Sequence, residues 1–301
     1  MEAVSRVICP LTGKSYGVKR VCKTLGKARS THYERKARAK RTPDAPVSKR
    51  GPKTVHSDNQ VLSMARDYIA TSKFKMEGYR KVWAHFRFDR GLRIGKHRVL
   101  RIMRENRLLS PLRRPWREKK PHDGTILSDQ PNVMWGTDGT QLYTIEDGNG
   151  WIFAALDHYT AECVGSHVCK TGSRFAALEP ISQGVAAQFG NTESQAAQGL
   201  SLRRDNGPQY ISDDFHQQIR YWGITPSAAL PYEPETNGVI ERFWRTLKEQ
   251  CIYGREFKNL AEVEAAVSAF IANYNQFWRI ERLGFMTPIE ARLAYQLNTA
   301  A

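Results

Sequence analysis

Two segments near the amino terminus have the hydrophobic spacing of short helices. Apolar residues follow the i, i+3, i+4, i+7 pattern of one amphipathic face at Val18, Val21, Cys22 and Leu25. Gly26 is placed to end that helix, and the next segment offers Ser30 or Thr31 as an N-cap, with Glu34 completing a capping box after Thr31. The pattern predicts a helix-turn-helix within residues 1–45, with an ordinary helical hairpin as the alternative.

A second helical unit is predicted within residues 46–125. Helical periodicity covers residues 60–71, a basic helix follows Gly78, and a third helix covers residues 95–109. Val99, Ile102 and Met103 form the inner stripe of the third helix, and its other faces carry lysine and arginines. Such a helix can contact DNA phosphates and base edges, although a solvated charged face would look the same.

The pattern changes to strands beyond residue 132. Strand-like runs and helices then follow in this order: strands over 133–145, 150–159 and 162–169, a helix over 173–190, a strand over 201–205, a helix over 213–222, a strand over 224–230, and helices from about 235 to the end. This order predicts an α/β (α+β) domain over residues 126–301. Segments rich in proline and basic residues, 42–54 and 111–125, are predicted as linkers.

Charge is unevenly distributed along the 301 residues, whose net charge is +16. Residues 1–120 contain 33 Lys+Arg and 9 Asp+Glu, whereas residues 121–301 contain 13 and 21. The basic part predicts a polyanionic partner, most simply DNA, and the alternative is a surface that is basic for solubility alone.

Several other classes of protein are excluded or disfavoured by the composition. The sequence contains no run of 18 apolar residues, so a membrane-spanning helix is excluded. The first residues do not have the pattern of a secretory signal. Five scattered cysteines indicate no disulfide framework, so a reducing cytoplasm is the expected setting.

Three acidic residues stand out by their context. Asp138 lies inside a strand-like run, where a carboxylate is uncommon. Asp205 ends a predicted strand just before a turn at Asn206 and Gly207, a frequent place for catalytic groups. Glu241 lies near the start of a long helix.

The long helix can be analysed at about 100° per residue. Its core stripe consists of Ile240, Phe243, Trp244, Leu247 and Cys251. Glu241, Arg245 and Lys248 form an adjacent stripe, so the helix presents an acid with two cations beside it.

Three carboxylates brought together would repel one another unless a cation lay between them. All-oxygen ligands favour Mg²⁺ or Mn²⁺. Two such ions about 4 Å apart can activate a water or a 3′-hydroxyl and stabilise the leaving oxygen of a phosphodiester. Each acid taken singly could equally be a surface or capping residue.

The sequence resembles the OrfB transposases of the insertion-sequence-three family, particularly the insertion-sequence-two subgroup. Asp138, Asp205 and Glu241, with 35 residues between the last two, resemble the DDE triad of retroviral-type integrases and transposases. The other matching motifs are GYRKVWAHFR, HRVLRIMRENRLL, Trp135-x-x-Asp138-x-Thr140, Asp205-Asn206-Gly207-x-Gln209-Tyr210, Pro234-x-x-Asn237-Gly238-x-x-Glu241, Lys248, Tyr274-Asn275 and Leu283-Gly284-x-x-Thr287-Pro288.

The resemblance implies an RNase H-like integrase core preceded by helix-turn-helix modules. It implies a DNA transposase that binds the terminal inverted repeats of an element, frees 3′-hydroxyls and joins them to target DNA, with two Mg²⁺ or Mn²⁺ ions held by the triad. Because both ends must be paired, a homo-oligomer is expected. A protein of this kind is expected in the bacterial cytoplasm, associated with the nucleoid.

Nine residues are predicted to contact DNA. The resemblance places Lys248 near the scissile phosphate and gives Asn237 a role in shaping the loop before Glu241. The remaining candidates are cations and polar residues of the basic helices and of the long helix: Arg29, Ser30, Arg80, Lys81, Arg98, Arg101 and Arg245.

The sequence departs from the family pattern in two places. Gly139 occupies a position that is often aliphatic in the family, and a glycine there indicates a bulge. Trp278 and Ile280 replace an arginine and a histidine that usually follow the Tyr-Asn pair. The second departure weakens any functional role for the tail.

Other functions remain as alternatives. The basic half alone would suit a non-catalytic DNA-binding regulator of element ends, and the triad alone would suit a general RNase H-like nuclease. His158, Cys163, His167 and Cys169 lie close in sequence, but strand alternation and the absence of a Cys-x-x-Cys motif disfavour a zinc site.

Overall fold

The computed structural model describes residues 1–39, 54–75, 77–110, 128–228 and 238–299. The chain forms two compact units, residues 1–55 and residues 56–301. Nearly all of the two predicted linkers lies outside the described residues.

The first unit contains three helices: α1 (Glu2–Arg6), α2 (Gly17–Thr24) and α3 (Arg29–Ala39). The predicted break at Gly26 is confirmed, because Gly26 has φ +61° and the amide of Lys27 donates to the carbonyl of Cys22, which closes α2 with a Schellman motif. The predicted capping box is wrong. Helix α3 already begins at Arg29, so Thr31 lies inside the helix and not at its cap.

The second unit begins with a three-helix module in the described residues of 56–110, referred to below as the HTH-like module. Its helices are α4 (Asp58–Thr71), α5 (Tyr79–Ala84), which continues as a π-helical turn over His85–Asp89, and α6 (Lys96–Glu105). The predicted inner stripe of α6 is confirmed, and it packs with residues of the other helices: Val61, Ala65, Val82, Phe86, Ile94, Val99, Ile102 and Met103. Helix α4 begins two residues earlier than predicted, since Ser57 and Gln60 form a capping box.

A mixed five-stranded sheet forms the centre of the second unit. Its strands are β1 (Met134–Thr144), β2 (Gly148–Asp157), β3 (Cys163–Cys169), β4 (Ser201–Arg204) and β5 (Thr225–Ala228). The spatial order is β3-β2-β1-β4-β5. The first three strands form an antiparallel meander, and β4 pairs in parallel with both β1 and β5. All five predicted strands are therefore confirmed.

Helices cover both faces of this sheet. Helices α7 (Arg174–Phe189) and α8 (Asp213–Tyr221) pack on one face with Phe153 and Ala155 of β2. Helices α9 (Gly238–Leu247), which continues as a π-helical turn over Lys248–Ile252, and α10 (Leu260–Phe277) pack on the other face with Ile152, Ala154 and Leu156. The strict alternation along β2 thus supplies two separate cores. A short 3₁₀ turn, Glu281–Leu283, leads to α11 (Pro288–Thr299).

The Tyr-Asn and Leu-Gly motifs of the tail have structural roles. Tyr274 is buried in the core beneath α9, and the Asn275 amide both accepts from and donates to the backbone of Cys163 at the start of β3 (3.0 and 2.9 Å). Gly284 has φ +66° after the 3₁₀ turn, and Thr287 forms a reciprocal cap with Glu290 at the start of α11. Within the described ranges, no helix is long and apolar enough to cross a membrane.

Gly139 lies in a regular part of β1. Gly139 pairs with Phe153 of β2, and the pairing between β1 and β2 continues without interruption from Trp135 to Thr144. The prediction of a bulge at Gly139 is therefore wrong. A Cβ atom at this position would lie 2.5 Å from the Phe153 ring. The aromatic ring fills the space that an aliphatic side chain at residue 139 would need.

We expect Gly139→Val to lower the free energy of unfolding by about 1–3 kcal/mol, because the added side chain overpacks the face occupied by Phe153. Combining it with Phe153→Ala should cost less than the two single changes added together. Chemical denaturation measures both effects. Gly78→Ala is the control, since nothing lies within 4 Å of its new Cβ, and strict additivity of the double variant would contradict the account.

Candidate active site

Asp138 and Asp205 occupy equivalent positions on two neighbouring parallel strands. The parallel ladder between β1 and β4 pairs Met134 with Ser201 and continues to the pair Gly136 and Arg203. Two residues further along each chain lie Asp138 and Asp205, at the point where β4 ends. Adjacent strands are about 4.8 Å apart, and residues in register point to the same face, so the two carboxylates are neighbours.

Asp138 lies on the face of the sheet that α9 covers. Its cross-strand partner is Ala154, which belongs to the same core as Ile240 and Phe243 of α9. One carboxylate oxygen, Oδ1, accepts a hydrogen bond from the amide of Gly139 (2.7 Å).

Burial raises the pKa of Asp138 to about 6, and the negative charges of Asp205 and Glu241 act in the same direction. The amide of Gly139 and the nearby indole of Trp244 oppose this rise in pKa. Asp138 is therefore the member of the predicted triad that interacts electrostatically with both of the others.

Asp205 is held by backbone contacts on both sides. Its Oδ1 accepts from the amide of Gly207 (2.9 Å), and its carbonyl oxygen accepts from Nη1 of Arg204 (3.0 Å). Nη2 of the buried Arg204 lies 3.1 Å from Nε2 of His216 on α8. Because arginine only donates, His216 is the acceptor and is neutral in this contact. Helix α8 thus fixes the turn that carries Asp205.

Glu241 lies in the first turn of α9, and the helical analysis of its surroundings is confirmed. All five predicted core residues of this helix are buried: Ile240, Phe243, Trp244, Leu247 and Cys251. Arg245 is exposed and pairs with Glu249 (2.8 Å), and Lys248 begins the π-helical turn. The helix therefore carries its acid and its two cations outside the packed face.

Two aromatic residues with polar atoms, Tyr210 and Trp244, are buried beside Asp138. Burial raises the pKa of the Tyr210 hydroxyl, and the charges of Asp138 and Asp205 act in the same direction. In the described parts of the chain, no three His, Cys, Asp or Glu side chains are grouped tightly enough to hold one metal ion, and this includes the predicted triad and the four residues considered for zinc. The pair Asp138 and Asp205 nevertheless offers an all-oxygen donor set that suits Mg²⁺ or Mn²⁺.

Several predicted DNA contacts are engaged within the protein. Arg98, only 18% exposed, donates to Asp58 and to the carbonyl of His56, and Arg101 donates to Asp58 and Glu105. Arg80 pairs with Glu281 (3.4 Å), and the amine of Lys81 lies 3.6 Å from the centre of the Trp278 ring.

The remaining predicted DNA contacts are Arg29, Ser30 and Asn237. Arg29 and Ser30 are exposed at the start of α3. Asn237 lies outside the described residues. All these assignments stay predictions.

The sequence did not single out the residues that support the two aspartates. Arg204 and His216 act on Asp205, and Trp244 was assigned only to the core stripe. Two consecutive arginines in a four-residue strand were the available signal for Arg204, because a buried arginine needs a partner. Asp157 caps the turn after β2, because its Oδ1 accepts from the amide and hydroxyl of Thr160 (2.7 and 2.9 Å).

Family models match most of the second unit. Two models described as "Integrase core domain" match residues 128–234 and 222–288, which together span more than half of the chain, and a model described as "HTH-like domain" matches residues 58–116. The chain belongs to the integrase-core family. The resemblance to transposases of the insertion-sequence-three family and the prediction of an integrase core preceded by a helix-turn-helix-like domain are both confirmed.

The integrase-core chain is also similar to two named transposases. It is 26% identical over 294 residues to the transposase for insertion sequence element IS629 of Shigella sonnei, covering 94% of this chain and 93% of that protein. It is 28% identical over 256 residues to transposase InsD of the IS2 elements of Escherichia coli, covering 80% and 81%. The crystal structure of the catalytic core domain of BIV integrase matches 56% of this chain and 99% of that one, at 22% identity and a TM-score of 0.42.

We expect Asp138→Asn to stabilise the metal-free protein at pH 8 by about 1–3 kcal/mol. Because the pKa of Asp138 is raised to about 6 in the folded state, ionisation of this carboxyl lowers the stability of the fold as the pH rises from about 4 through 6. The asparagine amide carries no charge, so the variant avoids this loss of stability. The gain should shrink towards pH 4. Thermal unfolding at several pH values measures it.

The control for this experiment is Asp129→Asn, which changes an exposed acid. A gain for Asp138→Asn that does not depend on pH, or a loss of stability at pH 8, would contradict the electrostatic description of the site.

Proposed function

We propose that this protein is a DNA transposase in which Asp138, Asp205 and Glu241 carry out strand cleavage and strand transfer. The observation that supports this assignment best is the register of β1 and β4, which places two aspartates side by side at the end of β4. The charge of Glu241 contributes to the raised pKa of Asp138, which supports including this third acid in the proposed site.

The three carboxylates are proposed to hold divalent metal ions, Mg²⁺ or Mn²⁺, and two ions are expected. When bound, such ions activate a water or a 3′-hydroxyl and stabilise the leaving oxygen of a phosphodiester. Asp138 and Asp205 each use one oxygen to fix their orientation, through the amides of Gly139 and Gly207. A cation would also offset the burial and the repulsion that raise the pKa of Asp138.

The cations of α9 are proposed to contact the DNA backbone beside this site. Arg245 and Lys248 lie on the same side of the helix as Glu241, away from the core stripe. Charge-assisted contacts from arginine and lysine to phosphate would orient the strand without reading its sequence. Asn237 is proposed to shape the segment before α9.

The DNA substrates are proposed to be the terminal inverted repeats of an element and a target duplex. Residues 1–45 would bind DNA through Arg29 and Ser30, residues 46–125 would form the second binding domain, and residues 126–301 would form the catalytic core. Two ends must be brought together, so an assembly of two or more copies is expected. A bacterial protein that acts on DNA would be located in the cytoplasm, in association with the nucleoid.

We expect Asp205→Asn to abolish metal-dependent nicking of end DNA while leaving DNA affinity nearly unchanged, because the amide cannot replace an anionic metal ligand. Nicking and gel-shift assays on the same DNA measure the two properties, and Asp129→Asn is the control that should keep full activity. Full cleavage by Asp205→Asn would refute the assignment. Tight binding by the wild-type protein without cleavage under either metal would favour the non-catalytic regulator.

Metal binding should be detectable without DNA. At metal concentrations about 100-fold above the dissociation constant, the wild-type protein should gain about 2.7 kcal/mol of stability. Asp138→Asn and Asp205→Asn should lose most of this gain, because each removes a ligand from the pair. Thermal shift in Mg²⁺ and in Mn²⁺ tests this, and an equal gain in the wild-type protein and both variants would place the metal elsewhere.

A further inference from the structure

The HTH-like module is fastened to the catalytic core by contacts on three sides. On the first side, the backbone of Lys75 exchanges two hydrogen bonds with the side chain of Gln250, at 2.7 and 2.8 Å. Phe74 is buried in the core beneath α9, with its ring 4.8 Å from Trp278 and 6.5 Å from Phe270. The segment between α4 and α5 is therefore part of the catalytic domain's own packing.

Arg279 forms the second side of this junction. It is only 12% exposed, and its guanidinium donates to Asp89 of the HTH-like module. The same guanidinium donates to Glu290 (3.0 Å) and to the carbonyl of Phe285 (2.8 Å) in the tail of the core. A largely buried arginine with two acidic partners from different domains is a geometrically specific link, since its planar fork fixes the directions of its hydrogen bonds.

The third side combines aromatic and ionic contacts. Phe285 packs edge-on against Trp83, with the ring centres 5.1 Å apart, and stacks on Phe88 at 6.0 Å. Glu281 lies within ion-pair distance of Arg80 (3.4 Å) and of Lys96 (3.5 Å), the first residue of α6. The helix that is predicted to contact DNA is thus held at its first residue by the catalytic domain.

Helix α6 keeps a cationic face for DNA in this arrangement. Val99, Ile102 and Met103 are buried inside the module, whereas Arg104 is exposed, and the side chain of Arg101 stays 43% exposed although it pairs with Asp58 and Glu105. The HTH-like module and the sheet that carries Asp138 and Asp205 belong to one compact unit, residues 56–301. The DNA-contacting face and the catalytic carboxylates therefore have a fixed relation.

We infer that Arg279 is a positioning residue that fixes where the DNA is cut relative to the sequence bound by α6. This inference rests on the proposed function. Successive nucleotides of one strand are about 3.4 Å apart along the duplex, so the junction must hold the two parts to better than that spacing to select a single phosphate. Arg279 acts through this geometry and does not contact DNA itself.

The test compares the cleavage positions of junction variants on labelled DNA that carries an element end. Arg279→Gln should cut at several neighbouring phosphates where the wild-type protein cuts at one, with unchanged DNA affinity. Denaturing gels resolve the products to single nucleotides. A residue needed only for stability would change the amount of product and not its position.

Two further variants make the outcome decisive. Glu281→Gln removes two ion pairs at a half-exposed position, so it tests the junction even if Arg279→Gln does not fold. Arg174→Gln is the control, because both residues of the ion pair Arg174–Asp214 belong to the catalytic core and neither takes part in the junction. This variant should keep the wild-type cleavage position.

The inference is overturned if a folded Arg279→Gln cuts at the single wild-type phosphate, if Glu281→Gln does so where Arg279→Gln does not fold, or if Arg174→Gln scatters the cuts equally. A wild-type protein that binds this DNA and cuts nowhere would instead refute the proposed function.

Discussion

The parallel pairing of β1 with β4 is the constraint on which the site depends. It places Asp138 beside Asp205 although 66 residues separate them in the sequence. The pairing needs Trp135 and Leu202 in the core on one face of the sheet and α9 on the other, so both hydrophobic layers contribute to the geometry of the site. A slip of one residue between these strands would turn one carboxylate to the opposite face.

The protein maintains this arrangement at an energetic cost. Burial of Asp138 raises the pKa of its carboxyl, and the charges of Asp205 and Glu241 add to this rise, which means that the ionised form is destabilised without a counter-ion. Arg204 donates to the carbonyl of Asp205 and also contacts His216 of α8. These contacts hold the turn after β4 and with it the orientation of Asp205. A divalent cation would suit such a site, because its charge would offset both the burial of the Asp138 carboxylate and the repulsion from the neighbouring acids.

Much of the second unit could be predicted from the sequence because its signals are local. Alternation along β2 and the apolar stripe of α9 reflect direct burial, so the strands and the placement of Glu241 outside the core stripe were predicted correctly. The triad itself came from a family resemblance, since no local pattern links Asp138 with Asp205. The predicted start of α3 was wrong: the helix begins at Arg29, soon after the turn at Gly26 and before Ser30 and Thr31, the residues best suited to cap it.

The contacts between domains could not be predicted, because they depend on docking. Trp278 and Ile280 looked like lost functional residues, yet Trp278 receives the amine of Lys81 and the ring of Phe74, and Ile280 is buried in the core. Arg98 stays a predicted DNA contact, and its guanidinium also binds Asp58, which is 40 residues earlier within the HTH-like module. In each case the partner is remote in sequence, and only the folded chain identifies it.

The most direct measurement of the central claim is a crystal structure of the protein grown with Mn²⁺, with the ion located by its anomalous scattering. The account predicts a peak about 2.1–2.2 Å from carboxylate oxygens of both Asp138 and Asp205, with Glu241 drawn to the same site. A well-ordered crystal in which these two aspartates share no ion would contradict it.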